Sequence, residues 1–139
     1  MSDAPRIDHI GVVVDDLEAA KASFERMLGV APSMVKKMPE VGLYIARFET
    51  TNVAIELIQY TDDGDGFGRA VMGSETGFNH ISFEVDDVSE AVERFADAGL
   101  EPQEGFPRQG STGPVSFFEK DPVTGLLLEV SQHQEEENR

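Results

Sequence analysis

Histidine and glutamate occur at matching places in two similar stretches of this chain. HIGVVVDDLEAA begins at His9, and HISFEVDDVSEA begins at His80. A shift of 71 residues superposes these stretches, and a shift of 73 superposes IELIQ, which contains Glu56, on LEVSQ, which contains Glu129. Imidazole and carboxylate groups are the donors with which proteins bind borderline divalent ions such as Zn, Ni, Co, Mn or Fe. The four side chains are therefore candidates for one metal site.

Strand alternation gives these side chains a common direction. In HISFEV, Ile81 and Phe83 point to one face of a strand and His80 points to the other. Glu56 and Glu129 each lie between aliphatic neighbours, so they also face away from the apolar side. An unpaired charge in such a place is costly, and metal coordination would neutralise it. We therefore expect the histidines and glutamates to share the face opposite the helices.

The surrounding sequence predicts two units with the same order of elements. Both helices show capping-box spacing, Asp15 with Glu18 and Asp87 with Glu90, and a glycine ends each of them. In chain order the predicted elements are a strand at 7–14, a helix ended by Gly29, extended runs at 42–48 and 53–60, a strand at 79–85, a helix ended by Gly99, and extended runs at 114–119 and 126–132.

Two copies of one module in 139 residues indicate a duplicated module within a single domain. We expect module 1 at about 5–60, a linker at about 61–78, module 2 at about 79–132 and a charged tail at 133–139. The linker is rich in glycine and aspartate, and its centre, 67–72, could form a short helix.

Composition narrows the class of partner. The chain has 27 acidic and 11 basic residues, a net charge of -16, which disfavours nucleic acid and anionic membranes. Cysteine is absent, so neither a disulfide nor a thiolate ligand is available. The N-terminal residues lack the pattern of a signal peptide, and no apolar run is long enough to cross a membrane. These features predict a cytoplasmic protein whose partners are neither nucleic acid nor membranes.

The doubled HIxxxVDDxxxA and the strand glutamates resemble the vicinal oxygen chelate superfamily over residues 7–132. The resemblance implies an α+β fold in which two βαβββ modules form a half-closed mixed β-barrel around a metal site. It implies that His9, Glu56, His80 and Glu129 are the ligands of one divalent ion, and that the chain forms a homodimer. Whether one chain or two would build each site stays open.

Within the superfamily, the first unit looks most like the methylmalonyl-CoA epimerase family. This implies a metal-dependent isomerase that removes a proton next to a carbonyl or thioester, through an enediolate of two adjacent substrate oxygens held by the ion. The resemblance and this chemistry allow Glu129 or Glu56 to act as the base. Cations for a CoA nucleotide are few: Lys36, Lys37, Arg47, Arg69 and Arg108.

Other members of the superfamily supply the alternatives. The run FFEKDPVTGLLLEV resembles glyoxalase I, a lyase with the same ligand set, and a non-catalytic resistance protein that binds a small molecule is a further alternative. An extradiol dioxygenase would leave one carboxylate unused. The chain departs from the epimerase pattern at Asn79, where that family pairs two histidines, and near Tyr44, where some members place a glutamate base.

Overall fold

The computed structural model describes residues 4–133. In this part of the chain there are eight strands and three α-helices, and the same order of elements occurs twice. The elements are β1 (Arg6–Val13), α1 (Leu17–Leu28), β2 (Met34–Met38), β3 (Leu43–Glu49), β4 (Ala54–Tyr60), α2 (Phe67–Met72), β5 (Gly77–Glu84), α3 (Val88–Asp97), β6 (Arg108–Gln109), β7 (Pro114–Phe117) and β8 (Leu127–Ser131). The order βαβββ therefore occurs twice, which confirms the predicted α+β class, and α2 coincides with the helix expected at 67–72.

The described chain divides into two compact units, one of His9–His80 and one formed by the described residues before and after that segment, and β1 and β5 run through both. Neighbouring strands follow the order β2-β3-β4-β1-β5-β8-β7-β6. Strand β1 is parallel to β4, whereas β2, β3 and β4 are antiparallel to one another in turn, as are β6, β7 and β8. The sheet is mixed, as predicted. None of the described helices is long and apolar enough to cross a membrane.

Each long helix begins at an aspartate. Asp16 accepts a hydrogen bond from the backbone N–H of Ala19 at 3.1 Å, and Asp87 accepts one from Glu90 at 3.2 Å. These bonds satisfy donors that the first turn of a helix leaves without a partner. The predicted capping role of Asp15 is wrong, since the helix begins one residue later; the repeat itself aligns Asp16 with Asp87.

The repeated glutamines connect a strand to the start of each helix. Gln59 Oε1 accepts a hydrogen bond from the N–H of Leu17 at 2.7 Å, and Gln132 Oε1 accepts one from Val88 at 2.9 Å. Each glutamine thus satisfies a further donor at a helix N-terminus. The glutamine that ends both IELIQ and LEVSQ therefore has a structural role.

In the His9–His80 unit, one face of the sheet packs against α1. Leu17 of the helix forms a buried cluster with Ala46, Phe48 and Leu57, and Ile55 packs against it. We call this side the helix face. Because side chains alternate along a strand, His9, Arg47 and Glu56 lie on the opposite side, which we call the histidine face.

The other unit repeats this division. Val88 of α3 forms a buried cluster with Phe118 and Val130, and Phe83 packs against it. On the opposite side, the hydroxyl oxygens of Ser82 and Ser131 lie 2.9 Å apart and are fully buried. The alternation predicted from the sequence is confirmed in both units.

Candidate metal centre

His9 and Glu56 come together because β1 and β4 are parallel neighbours. The register pairs His9 with Ala54 and Gly11 with Glu56, so the imidazole and the carboxylate project from adjacent positions. Both residues are buried, and His9 Nε2 lies 3.6 Å from Glu56 Oε1. That distance is too long for a good hydrogen bond. It is close to the separation of about 3–3.5 Å expected for two donors on one ion at about 2.0–2.2 Å.

His80 joins this pair from β5. Its ring is fully buried, and its centroid lies 5.4 Å from that of His9 with the planes nearly perpendicular. Within the His9–His80 unit, His9 thus lies close both to the Glu56 carboxylate and to the His80 ring. The strand parity of all three residues is as the sequence predicts.

Gly11 makes room for the His80 ring. A Cβ atom at position 11 would lie 2.1 Å from Cε1 and 2.5 Å from Nε2 of His80, far inside van der Waals contact. The close approach of the ring, rather than an unusual backbone angle, requires glycine here. Sequence reasoning did not identify this role, although a glycine in the middle of a strand is itself a signal of such an approach.

Arg47 is a second residue that sequence reasoning did not place in the site. It lies opposite Glu56 in the β3–β4 register, and its Nη1 donates to Glu56 Oε2 at 2.8 Å. Its Nε donates to Glu49 Oε2, also at 2.8 Å. The Arg47 side chain is only 7% exposed, so it is not available as an anchor for a CoA nucleotide. Glu56 is thus held through Oε2, while Oε1 is the oxygen nearer to His9.

Glu129 lies in the other unit. It occupies the middle of β8, is 5% exposed, and pairs in register with Phe117. By alternation it shares the side of β8 that carries Ser131, away from α3. Its burial and direction within its own unit match the prediction.

Tyr44 does not supply a base to the histidine face. It packs against the buried cluster under α1, and Lys37 Nζ lies 5.1 Å from its ring centroid. Alternation places the other ionisable residues of β3, Arg47 and Glu49, on the histidine face, and these two form an ion pair with each other. The glutamate base that some epimerases carry in this region therefore has no counterpart at Tyr44.

Contacts of Tyr60 hold the linker helix α2 within the His9–His80 unit. Tyr60 Oη donates to the carbonyl of Gly73 at 2.5 Å, and the guanidinium of Arg69 lies 4.6 Å from the Tyr60 ring centroid. Burial raises the pKa of Tyr60 above its ordinary value, and the positive charge of Arg69 acts in the opposite direction. At neutral pH the phenol thus keeps the proton that it donates to Gly73.

The donor chemistry of this centre fits a borderline divalent ion. Imidazole nitrogen combined with carboxylate oxygen suits Zn, Ni, Co, Mn or Fe, whereas Ca and Mg prefer sites made of oxygen alone. Arg47 already pairs with Glu56 Oε2, so the oxygen that could bind an ion is Oε1, on the side of His9. The residues present therefore fit the ion that the sequence predicts.

Comparison with known proteins identifies the class of this protein. A family model described as the Glyoxalase/Bleomycin resistance protein/Dioxygenase superfamily matches residues 8–117. The chain belongs to this superfamily, as its sequence resemblance predicts.

Its relatives include named epimerases. The ethylmalonyl-CoA/methylmalonyl-CoA epimerase of Cereibacter sphaeroides is 31% identical over 130 residues, which cover 91% of this chain and 97% of the relative. The methylmalonyl-CoA epimerase of Mycobacterium tuberculosis has a similar structure, with a TM-score of 0.81 and 18% identity over 97% of this chain and 94% of that one. A methylmalonyl-CoA epimerase in complex with methylmalonyl-CoA and NH4+ gives a TM-score of 0.79 at 25% identity, over 94% and 96% of the two chains. These likenesses confirm the expected fold and support the expectation of an enzyme.

Proposed function

We propose that this protein is a metal-dependent isomerase that removes and returns the proton on the carbon next to a thioester, as a methylmalonyl-CoA epimerase would. The observation that carries the proposal is that three buried donor side chains share one face of the sheet, with His9 3.6 Å from Glu56 and its ring centroid 5.4 Å from that of His80. The relatives named as epimerases of CoA thioesters supply the substrate class.

Glu129 is the fourth ligand in this proposal. It is the counterpart of Glu56 in the repeated IELIQ and LEVSQ, as His80 is the counterpart of His9. Like Glu56, it is a buried carboxylate in the middle of a strand, on the side away from the helix. The proposal therefore makes the whole chain one functional domain. A bound divalent ion would supply Lewis acidity, which stabilises the negative charge that develops on the thioester oxygen.

The two carboxylates have different tasks. Glu56 is held by a buried ion pair with Arg47, so its position is fixed and it serves as a ligand. We assign the acceptance of the proton from carbon to Glu129, which would serve in turn as ligand and as base. Return of a proton to the same carbon is epimerisation, whereas return to the adjacent carbon is the isomerisation that glyoxalase I performs.

A CoA thioester also needs a cation for its phosphates. Within the His9–His80 unit, Arg47 is buried in ion pairs, Arg69 stacks on Tyr60, and Lys37 lies over Tyr44 on the helix face. Lys36 pairs in register with Ile45, on the histidine face, and is exposed. Because Lys36 is exposed and lies on the same face as His9 and Glu56, we assign it to the nucleotide phosphates. A homodimer and a cytoplasmic location stay predictions of the sequence.

The reaction is tested by solvent exchange. Metal-loaded protein in deuterated water is expected to place deuterium on the α-carbon of methylmalonyl-CoA, because the abstracted proton mixes with solvent before its return. A parallel incubation with the adduct of methylglyoxal and glutathione is expected to show no incorporation of deuterium. Mass spectrometry of both substrates provides the measurement. Exchange into the adduct alone would establish glyoxalase chemistry, and exchange into neither would favour a binding protein.

A further inference from the structure

Asn79 contacts both a metal-ligand candidate and the linker helix. Its side chain is half-buried, and its Nδ2 donates to the carbonyl of Met72, the last residue of α2, at 2.9 Å. Its Oδ1 lies 2.7 Å from Nδ1 of His80. A backbone carbonyl can only accept, so the amide nitrogen must face Met72 and the amide oxygen must face His80. The hydrogen-bond pattern thus fixes which way the amide points.

This orientation determines the tautomer of His80. Since Oδ1 of Asn79 can only accept, Nδ1 of His80 must carry the hydrogen, and in a neutral imidazole the lone pair then lies on Nε2. The Cε1 atom of the ring lies closest to Gly11, the register partner of Glu56, and Nε2 and Nδ1 lie at nearly equal distances from that position. Because Nδ1 donates to Asn79, Nε2 is the ring nitrogen that carries a lone pair for an ion.

We propose that Asn79 is a positioning residue that locks His80 as the Nδ1–H tautomer and so presents Nε2 as the ligand atom. Through its second bond, Asn79 also connects this ligand to the end of α2. The inference rests on the proposed function, because it takes His80 to be a ligand. Partners that orient a ligating histidine in this way typically contribute about 10- to 100-fold to metal affinity.

The tautomer can be read without any metal. Two-bond proton–nitrogen correlation spectra of 15N-labelled, metal-free protein distinguish Nδ1–H from Nε2–H. The spectra are recorded at about pH 9, well above the ordinary histidine pKa of about 6.5. His9→Ala and His133→Ala spectra assign the signals of His80. Wild type is expected to show Nδ1–H, and Asn79→Ala is expected to show a mixture with Nε2–H.

The variant Asn79→Asp tests the bond to His80 apart from the bond to Met72. The carboxylate still accepts from Nδ1–H, so the tautomer is expected to persist, while the donor to Met72 is lost. Asn79→Ala is expected to raise the Kd for zinc about 10- to 100-fold, measured by competition with a chelating dye. Asn52→Ala is the matched control, because among residues 4–133 the hydrogen bonds of Asn52 stay within the exposed turn at 50–53, and it should change neither the tautomer nor the Kd.

An Nε2–H signal for His80 in wild type would overturn the assignment, as would an Asn79→Ala protein with an unchanged tautomer. If Asn79→Ala fails to fold, the wild-type and Asn79→Asp spectra still test the assignment, because His80 must show Nδ1–H in both proteins. Failure of the proposed function has a different signature. In that case wild type shows the expected tautomer, Asn79→Ala loses it, and neither protein binds zinc.

Discussion

Glu129→Gln is expected to slow deuterium exchange at the α-carbon of the substrate by about 10²- to 10⁴-fold, which is the usual contribution of a positioned general base. Glutamine keeps an oxygen that can contact the ion but cannot accept the proton. Glu56→Gln is expected to have a smaller effect, because Arg47 already fixes that carboxylate as a ligand. The measurement is the initial rate of exchange in metal-loaded protein at saturating substrate.

Metal content must be measured in the same samples, since a variant without metal would also be inactive. Glu84→Gln is the matched control, because Glu84 is a neighbouring glutamate that forms an ion pair with Arg6 near the surface, 3.4 Å between Oε1 and Nε. It should exchange at the wild-type rate. A larger loss in Glu56→Gln than in Glu129→Gln, at equal metal content, would reverse the roles that we assign to the two carboxylates.

Gly11→Ala is expected to weaken metal binding by at least about 10-fold, because its Cβ would occupy the space of the His80 ring. The ring must move away from the other donors or the strand must shift, and overpacking of this kind typically costs about 1–3 kcal/mol. Zinc affinity is measured by competition with a chelating dye. The free energy of unfolding of the metal-free protein is measured by urea denaturation.

Gly29→Ala is the control that distinguishes a loss of stability from a displacement of the His80 ring. Gly29 ends α1 with a φ of 73°, and nothing lies within 4 Å of a Cβ added there. Alanine in this left-handed conformation costs about 1–2 kcal/mol but leaves the histidines in place. Gly29→Ala should thus lose stability and keep its zinc affinity. Unchanged zinc affinity in Gly11→Ala would show that His80 is not a ligand.

The sequence predicted the direction of the site residues because direction depends on local alternation. Strand parity is a property of neighbouring residues, and the aliphatic side chains around Glu56 and Glu129 identify which face must be buried. The repeat aligned His9 with His80 and Glu56 with Glu129 as equivalent positions. Each pattern of strand, helix and polar residue was therefore seen twice in the sequence. Fold class, the helices and the longer strands followed from the same patterns.

The residues that sequence reasoning missed depend on pairing between distant segments. Arg47 meets Glu56 through the β3–β4 register, and Gly11 meets His80 from another strand. No local pattern specifies either contact. Strands β2 and β6 were also not predicted, because β2 is short and largely exposed and β6 has two exposed residues, so neither shows a buried apolar alternation. The capping role of Asp16 could have been predicted from the repeat, which aligns Asp16 with Asp87.

The metal content of purified protein tests the central claim most directly. After incubation with zinc and removal of the excess, wild type should retain about one ion per chain, as the proposed set of four ligands predicts. The double variant His9→Ala/His80→Ala should retain less than about a tenth of that amount, since it loses both nitrogen donors. Elemental analysis by mass spectrometry, with circular dichroism to confirm that both proteins are folded, gives the answer. Full occupancy in the folded double variant would contradict the proposed metal centre.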